Sequence, residues 1–226
     1  MSVIKVIVVD IDGTLTDMQR RISTDAIEAI REMPVPVVLA SGNVICFMRA
    51  ASKLLGASEA MIGETGGVIQ NGYDASPVVL ADIEECRRAA AMLKEHFPEM
   101  VQLDARYRMS ELAFRRNIDV MKAERLLEEK YPELEILDTM FALHLKHRSV
   151  NKGTGMTKIA ELMGLKPENF AAMGDSTNDL PMFRAASVGI AVGNALPELK
   201  AMATHVTTKS YGEGAAEGFR WLKQRL

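Results

Sequence analysis

The chain has 226 residues, 48% of them hydrophobic and 25% charged, with a formal net charge of −3. That length exceeds one average domain and falls short of two, so it is ample for a buried core and points to one large domain or a core carrying an insertion. The weak negative charge without a basic block argues against a nucleic-acid surface, and no apolar run is long enough to span a membrane.

The first candidate strand, from Val3 to Asp10, is an almost unbroken β-branched run that passes into Ile11-Asp12-Gly13-Thr14. Such a run reads as a strand buried on both faces, the habit of parallel sheets, and in open sheets of that kind ligands sit beyond the carboxyl ends of the strands. Asp10 and Asp12 stand at such an end, and residues two apart in extended chain point the same way, so both could face one crevice. Two carboxylates there repel unless a cation lies between them or one keeps its proton. Taken alone, the Asp-Gly step is equally satisfied by an ordinary acidic turn. The N-terminus runs directly into this acidic pair and lacks the layout of a signal peptide. Cys46 and Cys86 have no C-x-x-C spacing or nearby His partner and read as reduced thiols, so a cytoplasmic protein is expected.

Ser23 is placed to cap a helix over 24–33, with Ile27 and Ile30 on one face and Pro34 as its stop. Residues 35–40 form a second apolar strand ending in Ser41-Gly42-Asn43, and a helix over 44–55 is closed by Gly56. Strand and helix in alternation predict a parallel sheet. Residues 60–62 are a short third strand, and 68–72 resemble a hairpin whose Asn-Gly step supplies positive φ angles. From Asp82 the texture changes. A charged helix over 83–97, short strands near 101–103 and 111–114, a helix from Asp119 to about 130, and strands at 134–137 and 141–146 follow; the last alternates as a half-exposed strand. These make an antiparallel α+β unit, read as an insertion over 82–150 between core segments 1–81 and 151–226. The sheet pattern then resumes. Lys152-Gly153-Thr154-Gly155 opens a helix to Met163, a strand over 169–173 runs into Gly174-Asp175-Ser176-Thr177-Asn178-Asp179, and a short helix, a strand over 188–192, another short helix, 205–207 and a final helix over 213–225 complete the chain. The expected fold is α/β, a doubly wound, mostly parallel sheet with an inserted α+β unit.

Asp10/Asp12, Ser41/Asn43, Lys152 and Asp175/Asp179 all fall at strand ends or a helix start, and a doubly wound sheet can bring them to one crevice. The chemistry they suggest is phosphoryl transfer. Hard carboxylate oxygens suit Mg²⁺ better than Zn²⁺ or Ca²⁺. A lysine with Ser and Asn donors can hold non-bridging oxygens, and an aspartate can act as covalent nucleophile while a second moves a proton. Each residue also has a plainer reading: Ser41 as a helix cap, Asp179 as an acidic residue at a helix start, Lys152 as a surface lysine. His144 and His147 read as partly exposed, and Arg106, Arg108, Arg115 and Arg116 as a solvated cationic face, although a cap cation would be useful to a substrate with a second anion.

Asp10-Ile11-Asp12-Gly13-Thr14-Leu15-Thr16 resembles the first motif of the haloacid dehalogenase superfamily phosphatases, D-x-D-G-T-L-T. Ser41-Gly42-Asn43 is similar to the second motif, Lys152 with its glycines to the third, and Gly174 to Asp179 to the fourth, G-D-x-x-N-D. The motifs occur in order across the whole chain, and an insertion between the second and third resembles the Cof-like class with an α/β cap and a Rossmann-like core. The resemblance implies Asp10 as nucleophile, Asp12 as general acid/base, and Mg²⁺ held by the Asp10 carboxylate, the Asp12 backbone carbonyl and Asp175, with Asp179 joining directly or through water. It implies that Ser41 and the Asn43 region hold the phosphoryl group and that Lys152 stabilises both it and the nucleophile. Asn43 departs from relatives that carry arginine there, which leaves its own role open. Length, compact cap and motif wording look most like the archaeal-type phosphoglycolate phosphatases, implying a small phosphorylated metabolite, 2-phosphoglycolate, as substrate and a monomer or homodimer. A sugar-phosphate phosphatase or phosphomutase is the alternative within the superfamily. A receiver-type phospho-aspartate switch is the alternative outside it, disfavoured by the D-x-D spacing and the insertion.

Overall fold

The structure is a computed structural model that describes residues 3–226. Strand β1 (Val6–Asp10) is buried along its whole length. After it come α1 (Thr24–Arg31), β2 (Val37–Ala40), α2 (Ile45–Leu55), β3 (Ala60–Gly63), β4 (Val68–Asn71) and β5 (Val78–Val79). The middle of the chain forms α3 (Ile83–His96), β6 (Gln102–Leu103), β7 (Leu112–Phe114), α4 (Val120–Lys130), β8 (Leu134–Asp138) and β9 (Leu143–His147). The last third forms α5 (Lys152–Leu162), β10 (Phe170–Gly174), α6 (Leu180–Ala185), β11 (Val188–Ala191), α7 (Pro197–Met202), β12 (His205–Val206) and α8 (Tyr211–Lys223).

Two sheets result among the described residues. The larger has the order β12-β11-β10-β1-β2-β3-β4-β5, parallel from β12 through β3 and antiparallel at β4 and β5. The smaller is antiparallel, in the order β6-β7-β9-β8. The α/β, doubly wound expectation therefore holds, with the second sheet built by the segment between β5 and α5. Each sheet has its own apolar core. Val6, Ile7, Val8, Val9, Leu39, Ile62, Phe170 and Phe219 belong to the larger one; Leu93, Phe97, Leu112, Phe114, Leu127 and Leu145 belong to the smaller. Burying each large aliphatic side chain of β1 contributes roughly 1.5–3 kcal/mol, which fixes the strand that ends at Asp10.

Register then sets the site. β1 lies between β10 and β2, and the chain leaves it toward β2 on one side while β10 arrives on the other, the switch point where open sheets place their crevice. Asp10 stands beside Ala40, so Ser41 lies one residue past the same edge. Val9 stands beside Met173, so Gly174 ends its strand level with Asp10 and Asp175 continues past that edge too.

The structure differs from the sequence reading in several places. Of the Asn71-Gly72 step only Gly72 (φ 114°) adopts positive φ, and the step opens a longer loop to β5 rather than a two-residue turn. Ser23 precedes α1 without a side-chain capping bond, and α1 ends two residues early, at Arg31. β9 is not half-exposed: Leu143 and Leu145 enter the small core while His144 and Lys146 are also buried. Among the described residues, no helix is long and apolar enough to cross a membrane.

Candidate active site

Lys152 is the first residue of α5 and is completely buried. Its position is dictated locally. Asn151 caps the helix by accepting from the Gly153 and Thr154 amides, while Thr154 Oγ1 accepts from the Asn151 N–H, a reciprocal capping box. From there the Lys152 Nζ reaches Asp10 Oδ1 and Asp179 Oδ1, each at 2.5 Å, and Asn178 Oδ1 at 3.3 Å. An ammonium between two carboxylates satisfies its charge in the interior, and although burial opposes it, Asp10 and Asp179 hold the Lys152 pKa above the ordinary lysine value. The plain reading of Lys152 as a surface lysine is excluded.

Asp179 does stand at the start of α6, as its plainer reading has it, but makes no side-chain capping bond to that helix. Its Oδ2 accepts from the backbone N–H groups of Asp175 and Ser176, at 3.0 and 3.1 Å, which ties the loop after β10 around it. Gly174 has no side chain because a Cβ there would collide with the Asp179 carboxylate. Asp175 is held on its other side by the Thr14 hydroxyl at 3.3 Å and faces Gly13, whose φ of 91° leaves room that a side chain would fill. Asn194 Nδ2 donates to the Gly13 carbonyl at 2.9 Å, bracing the same turn from the β11–α7 loop.

Ligand oxygens of Asp10, Asp175 and Asp179 lie within 4.8 Å of one another. Burial, followed by the charge of Asp179, pushes the Asp175 carboxyl up to about 7. Burial pushes Asp10 well above the usual carboxylate range as well, with Lys152 opposing and Asp179 and Asp175 adding to it. Asp10 Oδ2 is buried without a hydrogen-bond partner. Crowded, desolvated carboxylates with an orphaned oxygen are what a cation site looks like before its cation is counted, and an all-oxygen donor set suits a hard divalent ion, so these residues could hold one.

The other sequence-derived residues divide cleanly. Asp12 is turned away from this trio: its Oδ2 accepts from Asn43 Nδ2 at 3.0 Å, and its Oδ1 lies 3.5 Å from Arg20 Nε. Ser41 is buried and is not a cap for α2, whose first turn follows Val44; Ser41 Oγ accepts from the Asn43 amide and from Asn43 Nδ2 at 2.8 Å. Asn43 is thus the link between Ser41 and Asp12. Asp10, Asp12, Ser41, Asn43 and Asp175 line one cleft of about 210 Å³.

The opposite wall of that cleft holds residues that sequence reasoning set aside or missed. Arg108 and His144, read as solvated and partly exposed, are 6% and 4% exposed and line the cleft. Both converge on Glu111 Oε1, each at 2.6 Å, and burial of Glu111 is outweighed by His144 and Arg108, which lower its pKa. Glu64, in the turn between β3 and β4, is also fully buried. Its carboxylate accepts from the backbone amides of Met109, Ser110 and Glu111 and from the Ser110 hydroxyl at 2.8–3.3 Å, tying the two sheets together. Glu64 and Thr65 adopt φ of 49° and 54°, a left-handed pair without glycine, a backbone cost kept where the loop is held from several sides. The signals for these residues were weak: a polar His144/Lys146 stripe on an otherwise apolar strand, and an Arg and Glu three residues apart. Arg106, Arg115 and Arg116 are exposed as expected, and His147, half-buried, pairs with the Ser149 hydroxyl.

Residues 7–110 and 108–219 match the family model of the haloacid dehalogenase-like hydrolases. The chain is 45% identical, over 97% of its length and 96% of the relative's, to the phosphoglycolate phosphatase of Methanosarcina acetivorans. It is 44% identical, over 96% of both chains, to that of Archaeoglobus fulgidus. The crystal structure of Thermoplasma acidophilum 0175 superposes with a TM-score of 0.88 at 30% identity, covering 98% of this chain and 99% of that one. With a family model matched along nearly all of its length, the chain belongs to the haloacid dehalogenase-like hydrolases.

Proposed function

We propose that the chain is a Mg²⁺-dependent phosphatase that hydrolyses 2-phosphoglycolate to glycolate and phosphate through an aspartyl-phosphate on Asp10, with the segment 82–150 serving as a substrate-screening cap on a core of 1–81 and 151–226. The observation that carries the reading is the state of the Asp10 carboxylate. One oxygen is clamped by Lys152, the other is buried and unpartnered, and the residue lines the cleft.

An Asp10 oxygen attacks phosphorus and the bond from phosphorus to the glycolate oxygen breaks, with Asp12 giving that oxygen a proton. Water then attacks the phosphorus of the aspartyl-phosphate, Asp12 takes its proton, and phosphate leaves with Asp10 restored. Asn43 holds Asp12 for both transfers through the 3.0 Å hydrogen bond, and Arg20 flanks it from the open side. Ser41 and the Asn43 region hold phosphoryl oxygens, and Lys152 keeps Asp10 in line while opposing charge build-up. Asp10, Asp175 and the Asp12 carbonyl, with Asp179 directly or through water, would hold Mg²⁺, which would supply charge neutralisation at the phosphoryl oxygens.

Substrate size fits the cleft, whose roughly 210 Å³ lies below the roughly 300–1,000 Å³ of sites for drug-sized ligands. The naming of the similar proteins from Methanosarcina acetivorans and Archaeoglobus fulgidus supports the same substrate. The test is phosphate release across a panel of phosphomonoesters in Mg²⁺, with 2-phosphoglycolate beside several sugar phosphates. Fastest release from 2-phosphoglycolate is expected; preference for a sugar phosphate would overturn the substrate, and no release from any ester would overturn the reaction.

A further inference from the structure

The roof of the cleft contains a charged trio that phosphoryl transfer at Asp10 does not use. Arg108, Glu111 and His144 come from the second sheet and its approach loop, and their side chains are only 3%, 1% and 5% exposed. Glu111 Oε1 accepts from Arg108 Nη1 and from His144 Nδ1. Arg108 Nη1 also donates to the Gly42 carbonyl, at 3.0 Å, so one nitrogen of the guanidinium carries every hydrogen bond it makes to the described residues. The Nε is buried without a partner. A guanidinium presents its donors as forks that match a carboxylate with two parallel hydrogen bonds, and here the Nε edge of the fork is unfilled while the residue lines the cleft.

His144 is oriented to assist. With Nδ1 on Glu111, its Nε2 lies on the far side of the ring, against Gly42, where a Cβ would meet the ring at 2.7 Å. In the charged ring Nε2 is a donor. Gly42 thus has a role that the Ser-Gly-Asn motif alone does not disclose: it lets a cap histidine come down beside Ser41. The remaining cleft cation, Arg20, is half exposed and already engaged, with Asp12 at 3.5 Å and with the Phe141 ring at 5.0 Å.

We infer that Arg108, held by Glu111 and joined by His144, binds a carboxylate on the part of the substrate that is not transferred, so that this cleft selects small phosphomonoesters bearing a second anion. The inference rests on the phosphatase reading and assigns the residues that would choose the substrate class. A buried donor left unfilled is costly until an acceptor meets it, and a carboxylate is the acceptor whose two oxygens match the guanidinium fork.

The test is a binding measurement independent of turnover. Calorimetric affinities in Mg²⁺ are compared for 3-phosphonopropionate, a non-hydrolysable mimic with a carboxylate, and propylphosphonate, which matches its length without one. The wild type is expected to prefer the first by roughly 10- to 100-fold, the range of a charge-assisted bidentate pair. Arg108→Met should erase that preference and leave propylphosphonate affinity within about threefold, since specificity is a difference of affinities. Arg108→Lys, which keeps the charge and loses the fork, should retain only part of the preference, and it carries the test if Arg108→Met does not fold. Equal weakening of both ligands would make Arg108 a structural strut and overturn the inference, as would an unchanged preference. Turnover of 2-phosphoglycolate and ethyl phosphate is followed in parallel. Hydrolysis of neither would sink the phosphatase reading while leaving a binding preference intact; hydrolysis of both without a binding preference would sink only the inference.

Discussion

The floor and the roof of the cleft are built on opposite plans. The floor is made of strand ends: Asp10, Ser41 and Asp175 lie just past one edge of a parallel sheet, and their positions follow from register with β2 and β10. The roof is made of long side chains, Arg108 and His144, that pair with Glu111 while Glu64, from the core, holds the 109–111 backbone beside them. A site fixed by backbone register tolerates little change in chemistry but resists displacement. A site fixed by buried ion pairs is movable, and removing one partner leaves the others unpaired.

Breaking the floor should have the largest effects. Asp10→Asn is expected to lower kcat for phosphate release by roughly 10⁴-fold or more, as for loss of other covalent nucleophiles, with the circular dichroism spectrum unchanged. Lys152→Met removes the ammonium between two buried carboxylates and should cost roughly 3–5 kcal/mol in chemical denaturation. Retention of wild-type stability would show that Asp10 and Asp179 find relief elsewhere.

A pH experiment sharpens the contrast because the floor gathers Asp10, Asp175 and Asp179 with oxygens within 4.8 Å of one another. In the cation-free protein Asp175 titrates near 7 against 3.8 for the ordinary carboxyl. The folded state therefore keeps a proton that the unfolded state has lost, so stability falls as pH rises from about 4 toward 7. EDTA-treated protein should melt lower at pH 8 than at pH 5, and Mg²⁺ should raise the melting temperature more at pH 8, where no proton competes. An equal Mg²⁺ effect at both would argue against these carboxylates as ligands. The smallest effect belongs to the outer side of the smaller sheet. Arg116 pairs with Asp138 at 2.8 Å with both side chains partly exposed, and Arg116→Ala should cost below about 1 kcal/mol and leave turnover unaltered.

How much was legible in the sequence follows the same division. Asp10 to Thr16 and Gly174 to Asp179 are contiguous, and a β-branched or Ala-rich strand running into them announces both the sheet and its functional edge. Lys152 was legible through its motif, and its complete burial adds the reason: it is the counter-ion of Asp10, at a strand end, and of Asp179, in the turn before α6. Asp12 was grouped with Asp10 by the two-residue period, yet the chain has already left β1 there, and its carboxylate turns to Asn43. The roof was not legible. Alternation in β9 normally means that one face meets solvent; here His144 lies against Gly42 of the core and Lys146 pairs with Glu135 of β8, so both are buried although their period says otherwise. Arg108 looked like one of several surface arginines because burial by another body leaves no periodic trace. The strain at Glu64 and Thr65 is equally silent, since neither residue type advertises positive φ.

The central claim is that Asp10 becomes covalently phosphorylated. Its most direct test is acid quenching of wild-type protein during turnover of 2-phosphoglycolate in Mg²⁺, followed by mass analysis of the peptide that contains Asp10. The expected result is the added mass of one phosphoryl group on that peptide in the wild type and none in Asp10→Asn. Steady hydrolysis with no modified peptide, or the modification on another residue, would contradict it.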